Sequence, residues 1–179
     1  GAPRSTCQEL PFLLLGVILW LSVTTQDGAS SLPCGIKCNA ESKGVELIME
    51  SFRPFAAEID EVKMTLAITN IIENAIKYNR TNGSVRVSVN ADHKYFYITV
   101  TDTGIGIPKE YIDRVFDRFY RVDKARSRET GGTGLGLSIT RSIIIMHKGS
   151  IKLYSKENEG TTFTIRVPLN HGQTGGDLL

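Results

Sequence analysis

The sequence predicts an α+β fold, a sheet covered by helices on one face. Three observations carry that reading. The alternation of Val85, Val87 and Val89 and the β-branched and aromatic run 95–101 (YFYITVT) read as two strands joined by the polar turn 91–94. Segments 60–78 and 134–146 place apolar residues at helical spacing. A second strand pair, 150–155 and 162–167, flanks the turn 157–160. Helices and strands fall into groups, which favours a sheet with helices on one side.

Taken in order, the chain opens on an apolar stretch, 10–25 (LPFLLLGVILWLSVTT), without a charge and a little short for a membrane span. Arg4 before it and the small residues 28–31 after it resemble a secretory signal. Three readings stay open: a signal or membrane-like remnant, sequence foreign to the domain, or a helix packed on it. Residues 1–39 are therefore set aside as an extension. Cys7, Cys34 and Cys38 are too few and too oddly numbered for a disulfide framework, and no further ligand completes a metal site, so reduced thiols are expected. A short helix ends near Lys43 and Gly44. Residues 45–50 (VELIME) form a strand, and 55–59 pairs back on it as a hairpin, or the two make one helix broken at Pro54.

Asp60 is placed as the N-cap of a long helix through Tyr78, with Val62, Leu66, Ile72 and Ile76 as its buried stripe. Asn70, Asn74 and Lys77 lie at i, i+4 and i+7 on a second face. Asparagine is a mediocre helix former, and two stacked on one face are better explained by a shared polar ligand than by propensity. Pro108 suits the first turn of a short helix whose apolar side is Tyr111, Val115, Phe116 and Phe119. The helix 134–146 turns Leu135, Ile139, Ile143 and Met146 inward and ends at Lys148 and Gly149. The tail 170–179 is glycine-rich and loose.

Composition bounds the function. The chain has 179 residues, 41% hydrophobic and 22% charged, with a net charge of +2. That suits one globular domain and is too mild a charge to argue for nucleic acid. The chemistry lies instead in two glycine clusters, 102–107 (DTGIGI) and 131–137 (GGTGLGL), which bracket the short helix and a cationic loop. Glycine this dense costs backbone entropy, which close approach to a ligand would justify. Two phosphate cradles are excluded by spacing. A P-loop needs Lys followed by Ser or Thr after its last glycine, and Gly136 precedes Leu137 and Ser138. A dinucleotide fingerprint needs G-x-G-x-x-G, and Gly132, Gly134 and Gly136 are evenly spaced by two. What remains is a loop whose amides, running into a helix N-terminus, face an anion.

The motifs NIIENAIKY (70–78), DTGIGI (102–107), FDRFYRV (116–122), GGTGLGL (131–137) and EGTTF (159–163) occur in that order. Together they closely resemble the catalytic, ATP-binding domain of bacterial two-component sensor histidine kinases, within the superfamily that includes type II topoisomerases and Hsp90 chaperones. The resemblance covers 40–169. It implies a two-layer α/β sandwich of the Bergerat type with a mobile lid loop.

The resemblance also implies roles. Mg²⁺ would bridge the triphosphate to the amide oxygen of Asn74, with Asn70 assisting on the same face. Lys77 and Tyr78 would lie beside the phosphates and the ribose or base. Asp102 would accept the adenine amino group; a carboxylate is acceptor-only and so selects against guanine's carbonyl. Gly104 and Gly106 would let the chain pass under the base, and Thr161 would support the adenine contact. Gly132, Gly134, Leu135 and Gly136 would supply hinge and amides to the phosphates. Phe116 and Phe119 would anchor the lid. Of the loop cations Arg118, Arg121, Lys124, Arg126 and Arg128, the first two would screen the phosphoryl group in flight.

His93, His147 and His171 lack the context of a phosphoacceptor. The chain is therefore expected to use ATP, release ADP, and phosphorylate a histidine on a separate dimerisation domain that serves a response regulator. A nucleotide-binding regulatory module and an anti-sigma-type serine kinase are the alternatives. The expected state is a cytoplasmic monomer with no nucleic-acid partner, attached to membrane only through other parts of its parent sensor or through 10–25.

Overall fold

The computed structural model describes residues 34–51, 55, 57–122 and 133–170. The elements are helix α1 (Cys34–Ser42), strand β1 (Glu46–Ser51), helix α2 (Glu61–Lys77), strands β2 (Ser84–Ala91) and β3 (Tyr95–Asp102), a 3-10 turn (Lys109–Arg114), helix α3 (Gly136–Met146), and strands β4 (Ser150–Lys156) and β5 (Gly160–Pro168). The five strands form one mixed sheet in the order β1-β2-β3-β5-β4. Only the β1–β2 pair is parallel. The α+β architecture predicted from the sequence is thus the observed one.

The helices cover one face of the sheet because the strands alternate. Val85, Val87 and Val89 of β2, Phe96, Ile98 and Val100 of β3, and Phe163, Ile165 and Val167 of β5 are buried, while their neighbours are not. Against that face α2 buries Met64, Ala67, Ile68, Ile71, Ile72, Ala75 and Ile76. Beside it α3 contributes Ile143 and Ile144. Asp60 caps α2 as expected, its carboxylate accepting the Lys63 amide at 3.0 Å. Helix α1 ends before Gly44, whose φ of +62° turns the chain into β1.

Four expectations need correction. Residues 55 and 57–59 form no strand and β1 no hairpin; β1 instead joins the sheet parallel to β2. The buried face of α2 is rotated from the expected stripe: Ile72 and Ile76 are core, but Val62 is 80% exposed and Leu66 is exposed too. In α3 the inward face runs through Thr140, Ile143, Ile144 and His147, which leaves Ile139 and Met146 outside. Phe119 is 71% exposed, since its backbone sits at a φ of +62°. Of the aromatics expected on the apolar side of that turn, Phe116 packs inward, edge-on to Phe163 with ring centroids 6.4 Å apart. Among the described residues no helix is long and apolar enough to cross a membrane.

Candidate functional site

The sheet's inner face is apolar until its last row. There the register places Val85, Asp102, Thr161 and Ser155 side by side on β2, β3, β5 and β4. One row earlier the same four positions are Val87, Val100, Phe163 and Leu153. The change from hydrocarbon to polar oxygen marks the site.

Asp102 is its centre. It is 7% exposed, and its Oδ1 accepts the Gly104 amide at 2.8 Å. Burial pushes its carboxyl up to about 6, against the opposing pull of amide hydrogen bonds from Gly104 and Thr161. The chain then turns sharply against α2. A Cβ on Gly104 would lie 2.4 Å from the Tyr78 carbonyl, which also accepts the Ile105 amide at 3.0 Å. Gly106 has a φ of +68°, and its Cβ would meet the Lys156 carbonyl at 2.0 Å. Both glycines are therefore demanded by packing of the loop on the protein itself. Gly160 follows the same logic from the other side: at a φ of +119°, its Cβ would lie 2.0 Å from the Asp102 carbonyl.

The asparagine face of α2 meets the start of α3. Asn70 donates Nδ2–H to the Gly136 carbonyl at 3.2 Å, and the Thr140 hydroxyl lies at 3.5 Å from the same nitrogen. Thr140, fully buried, donates in turn to the Ala67 carbonyl at 3.2 Å. Asn74, half-buried one turn on, makes no hydrogen bond to a described residue through its amide. Lys77 follows, held below the ordinary lysine pKa by burial and then by the charges of Arg121 and Lys43. Its ammonium sits 5.4 Å from the centre of the exposed Tyr78 ring.

Helix α3 begins at Gly136 with Leu135 as N-cap and no side-chain cap, so its first amides point outward. Gly134, at a φ of +71°, approaches the backbone of Phe119 to 2.9 Å from where its Cβ would be, and its carbonyl accepts the Phe119 amide at 2.9 Å. This pins together the two ends of the cationic loop. Gly132, Lys124, Arg126 and Arg128 lie outside the described residues. Arg118 is exposed, and no hydrogen bond or ion pair among the described residues ties it to the others. Asp102, Gly104, Gly106, Thr161 and Tyr78 are thus brought together around one turn, and Asn70 and Gly136 at the helix pair beside it. Sequence reasoning missed Ser155, Thr140 and the demand on Gly160. Gly160, between Glu159 and two threonines, carried a signal; Ser155 and Thr140 looked like ordinary polar residues of a strand and a helix.

A sheet whose polar last row faces an asparagine-bearing helix and an uncapped glycine-led helix defines a nucleotide-binding ATPase of the two-layer kind. Residues 59–171 match the family described as histidine kinase-, DNA gyrase B- and HSP90-like ATPases, and the chain belongs to it. It is 49% identical over 123 residues to the sensor histidine kinase WalK of Bacillus subtilis, covering 68% of this chain and 20% of that protein. It is 42% identical over 132 residues to the sensor-like histidine kinase SenX3 of Mycolicibacterium smegmatis, covering 74% of this chain and 34% of that one. The chain thus spans between a fifth and about a third of the length of these curated relatives. Among solved structures, the nucleotide-free catalytic domain of the histidine kinase ThkA is similar with a TM-score of 0.65 and 26% identity, over 75% of this chain and 86% of that one. The mycobacterial sensor histidine kinase MprB is similar with a TM-score of 0.64 and 27% identity, over 74% of this chain and 90% of that one. The described residues are an ATP-binding catalytic domain of the sensor histidine kinase kind.

Proposed function

We propose that this chain binds ATP with Mg²⁺ and passes the γ-phosphoryl group to a histidine on a separate dimerisation domain, which then serves a response regulator. The supporting observation is Asp102: a buried carboxylate with two amide hydrogen bonds, at the end of three adjacent strands. It accepts and, once ionised, never donates, so it favours the amino group of adenine over the carbonyl of guanine. Thr161 stands opposite it and adds a second oxygen.

Asn74 is the residue that would hold Mg²⁺. Its amide oxygen is a hard donor, half-exposed and engaged with no described residue. Mg²⁺ needs only one or two protein oxygens and takes the rest from phosphate and water. When bound, the ion neutralises triphosphate charge. Asn70 assists by holding α3 against α2, so that the amides after Gly134, Leu135 and Gly136 face the phosphates from the helix N-terminus. Lys77 and Tyr78 flank the phosphates and the ribose. Arg121, whose charge already acts on Lys77, screens the phosphoryl group during transfer, with Arg118 as the second cation. The γ-phosphorus exchanges its bond to the ADP oxygen for one to the acceptor imidazole nitrogen, and ADP leaves.

The test mixes the chain with a dimeric acceptor domain and γ-labelled ATP. An acid-labile, base-stable phosphohistidine is expected. An acid-stable product, or none while ATP still binds, would refute phosphoryl transfer to histidine.

A further inference from the structure

Ser155 stands next to Thr161 at the end of the polar row, and neither the family motifs nor the roles above employ it. Its Oγ lies 2.8 Å from the Ile107 amide, 3.0 Å from the Gly160 carbonyl and 2.9 Å from the Thr161 hydroxyl. A serine hydroxyl has one proton and two lone pairs. The Ile107 N–H must donate, so it occupies one lone pair. The Gly160 carbonyl can only accept, so it takes the Ser155 proton. The second lone pair remains, and the Thr161 hydroxyl fills it by donating. All three contacts are then satisfied at once. The reverse assignment, with Ser155 donating to Thr161, leaves the Gly160 carbonyl without this bond.

We propose that Ser155 is a positioning residue that sets purine selectivity: by taking the Thr161 proton, it leaves the Thr161 lone pairs beside the Asp102 carboxylate. The inference rests on the nucleotide reading of the site and deepens it. Asp102 and Thr161 then offer two acceptors in a row. The six-position amino group of adenine carries two N–H donors and suits that pair, whereas the guanine carbonyl meets oxygen on both sides. Without Ser155 the Thr161 hydroxyl rotates to donate, and a guanine carbonyl gains a donor. The same serine ties the Ile107 end of the glycine loop to β4, so its loss loosens the loop for either base.

The experiment measures ATP and GTP affinities of the full chain by calorimetry, for the natural protein and for Ser155→Ala and Ser155→Thr. Ser155→Ala is expected to lower the ATP:GTP affinity ratio about tenfold, the scale of one discriminating hydrogen bond. Ser155→Thr, which keeps the hydroxyl on a β-branched strand residue, is expected to retain the ratio. Equal losses for the two nucleotides in Ser155→Ala would show a merely structural serine and overturn the proposal while leaving the ATP site intact. Failure of the natural chain to bind either nucleotide would overturn both readings. Should Ser155→Ala not fold, Ser155→Cys fills the same space with a poor acceptor; a lowered ratio there supports the proposal and an unchanged ratio refutes it.

Discussion

Asn70 donates its side-chain N–H to the backbone carbonyl of Gly136, 66 residues further on, and so ties the middle of α2 to the first turn of α3. The amide orientation follows from chemistry, since a carbonyl can only accept. Its Nδ2 is committed to holding two helices together. Asn74, one turn away, has no such duty among the described residues.

The two asparagines should therefore separate stability from binding. Asn70→Ala should cost about 1 kcal/mol of stability, the net worth of a hydrogen bond. Asn74→Ala should cost less than about 0.5 kcal/mol, as for a surface change. Both should weaken Mg²⁺-dependent ATP binding. Urea melts paired with calorimetry at several Mg²⁺ concentrations measure the difference, and an unchanged metal dependence in Asn74→Ala would move the ligand elsewhere.

Asp102 sets fold and binding against each other in pH. Its pKa of about 6 in the fold lies above the ordinary 3.8, because burial outweighs the two amide hydrogen bonds. The folded state thus holds this proton more tightly than the unfolded chain. The group's contribution to stability is complete below pH about 4 and is lost as pH rises through about 6. Binding runs the opposite way, since an ionised acceptor is required: ATP affinity should fall as pH drops below about 6. Asp102→Asn keeps an oxygen for the Gly104 amide and removes the charge. It should raise the thermal midpoint of the ligand-less chain at pH 7.5 and lower ATP affinity by roughly 10- to 100-fold, the worth of a hydrogen bond to a charged group. A midpoint that does not rise, or an affinity that survives, contradicts this account.

Much of this was legible in the sequence, for reasons that differ by element. Strands β2 and β3 announce themselves by alternation, and the Asp60 cap by its position before a periodic run. Periodicity alone misplaced the inward face of α2 because Val62 and Leu66 are apolar yet sit where no described element covers them. The parallel pairing of β1 was illegible because its partner lies beyond α2, and a local hairpin is the nearer guess. The candidate residues of the site stood in the motifs, but the reasons for Gly104 and Gly106 did not: they answer to the carbonyls of Tyr78 and Lys156, contacts between distant segments.

The glycines of the second cluster should behave unlike one another. Gly134 combines a φ of +71° with backbone of Phe119 at 2.9 Å from a would-be Cβ. Gly134→Ala should cost about 1–2 kcal/mol from the left-handed backbone alone. At Gly136 the nearest atoms that a Cβ would meet belong to the Asn70 side chain, at 3.6 Å, in ordinary contact. Gly136→Ala should then be neutral or gain up to about 1 kcal/mol of helix propensity. If its glycine answers to the phosphates, that variant should still lose ATP affinity about tenfold or more. Denaturant melts and nucleotide titration of the pair decide it: a destabilised Gly136→Ala would place the demand in packing instead.

At the far end of the same helix pair, His147 does for α2's first turn what Gly136 does for its middle. The backbone N–H of Asp60 donates to Nε2 at 2.9 Å, and Nδ1 donates to the Ile143 carbonyl at 2.8 Å. Those two bonds define a neutral ring with its proton on Nδ1. The ring is 4% exposed, so a lost acceptor is not replaced by water. His147→Phe keeps the volume and strands the Asp60 amide, and should cost about 1–3 kcal/mol. Because the contact joins the first turn of α2 to the far end of α3, away from Asn70 and Gly136, ATP affinity at temperatures well below the melt should be unchanged. A melt with little loss would show that the amide finds another acceptor; a large fall in ATP affinity would make His147 part of the site after all.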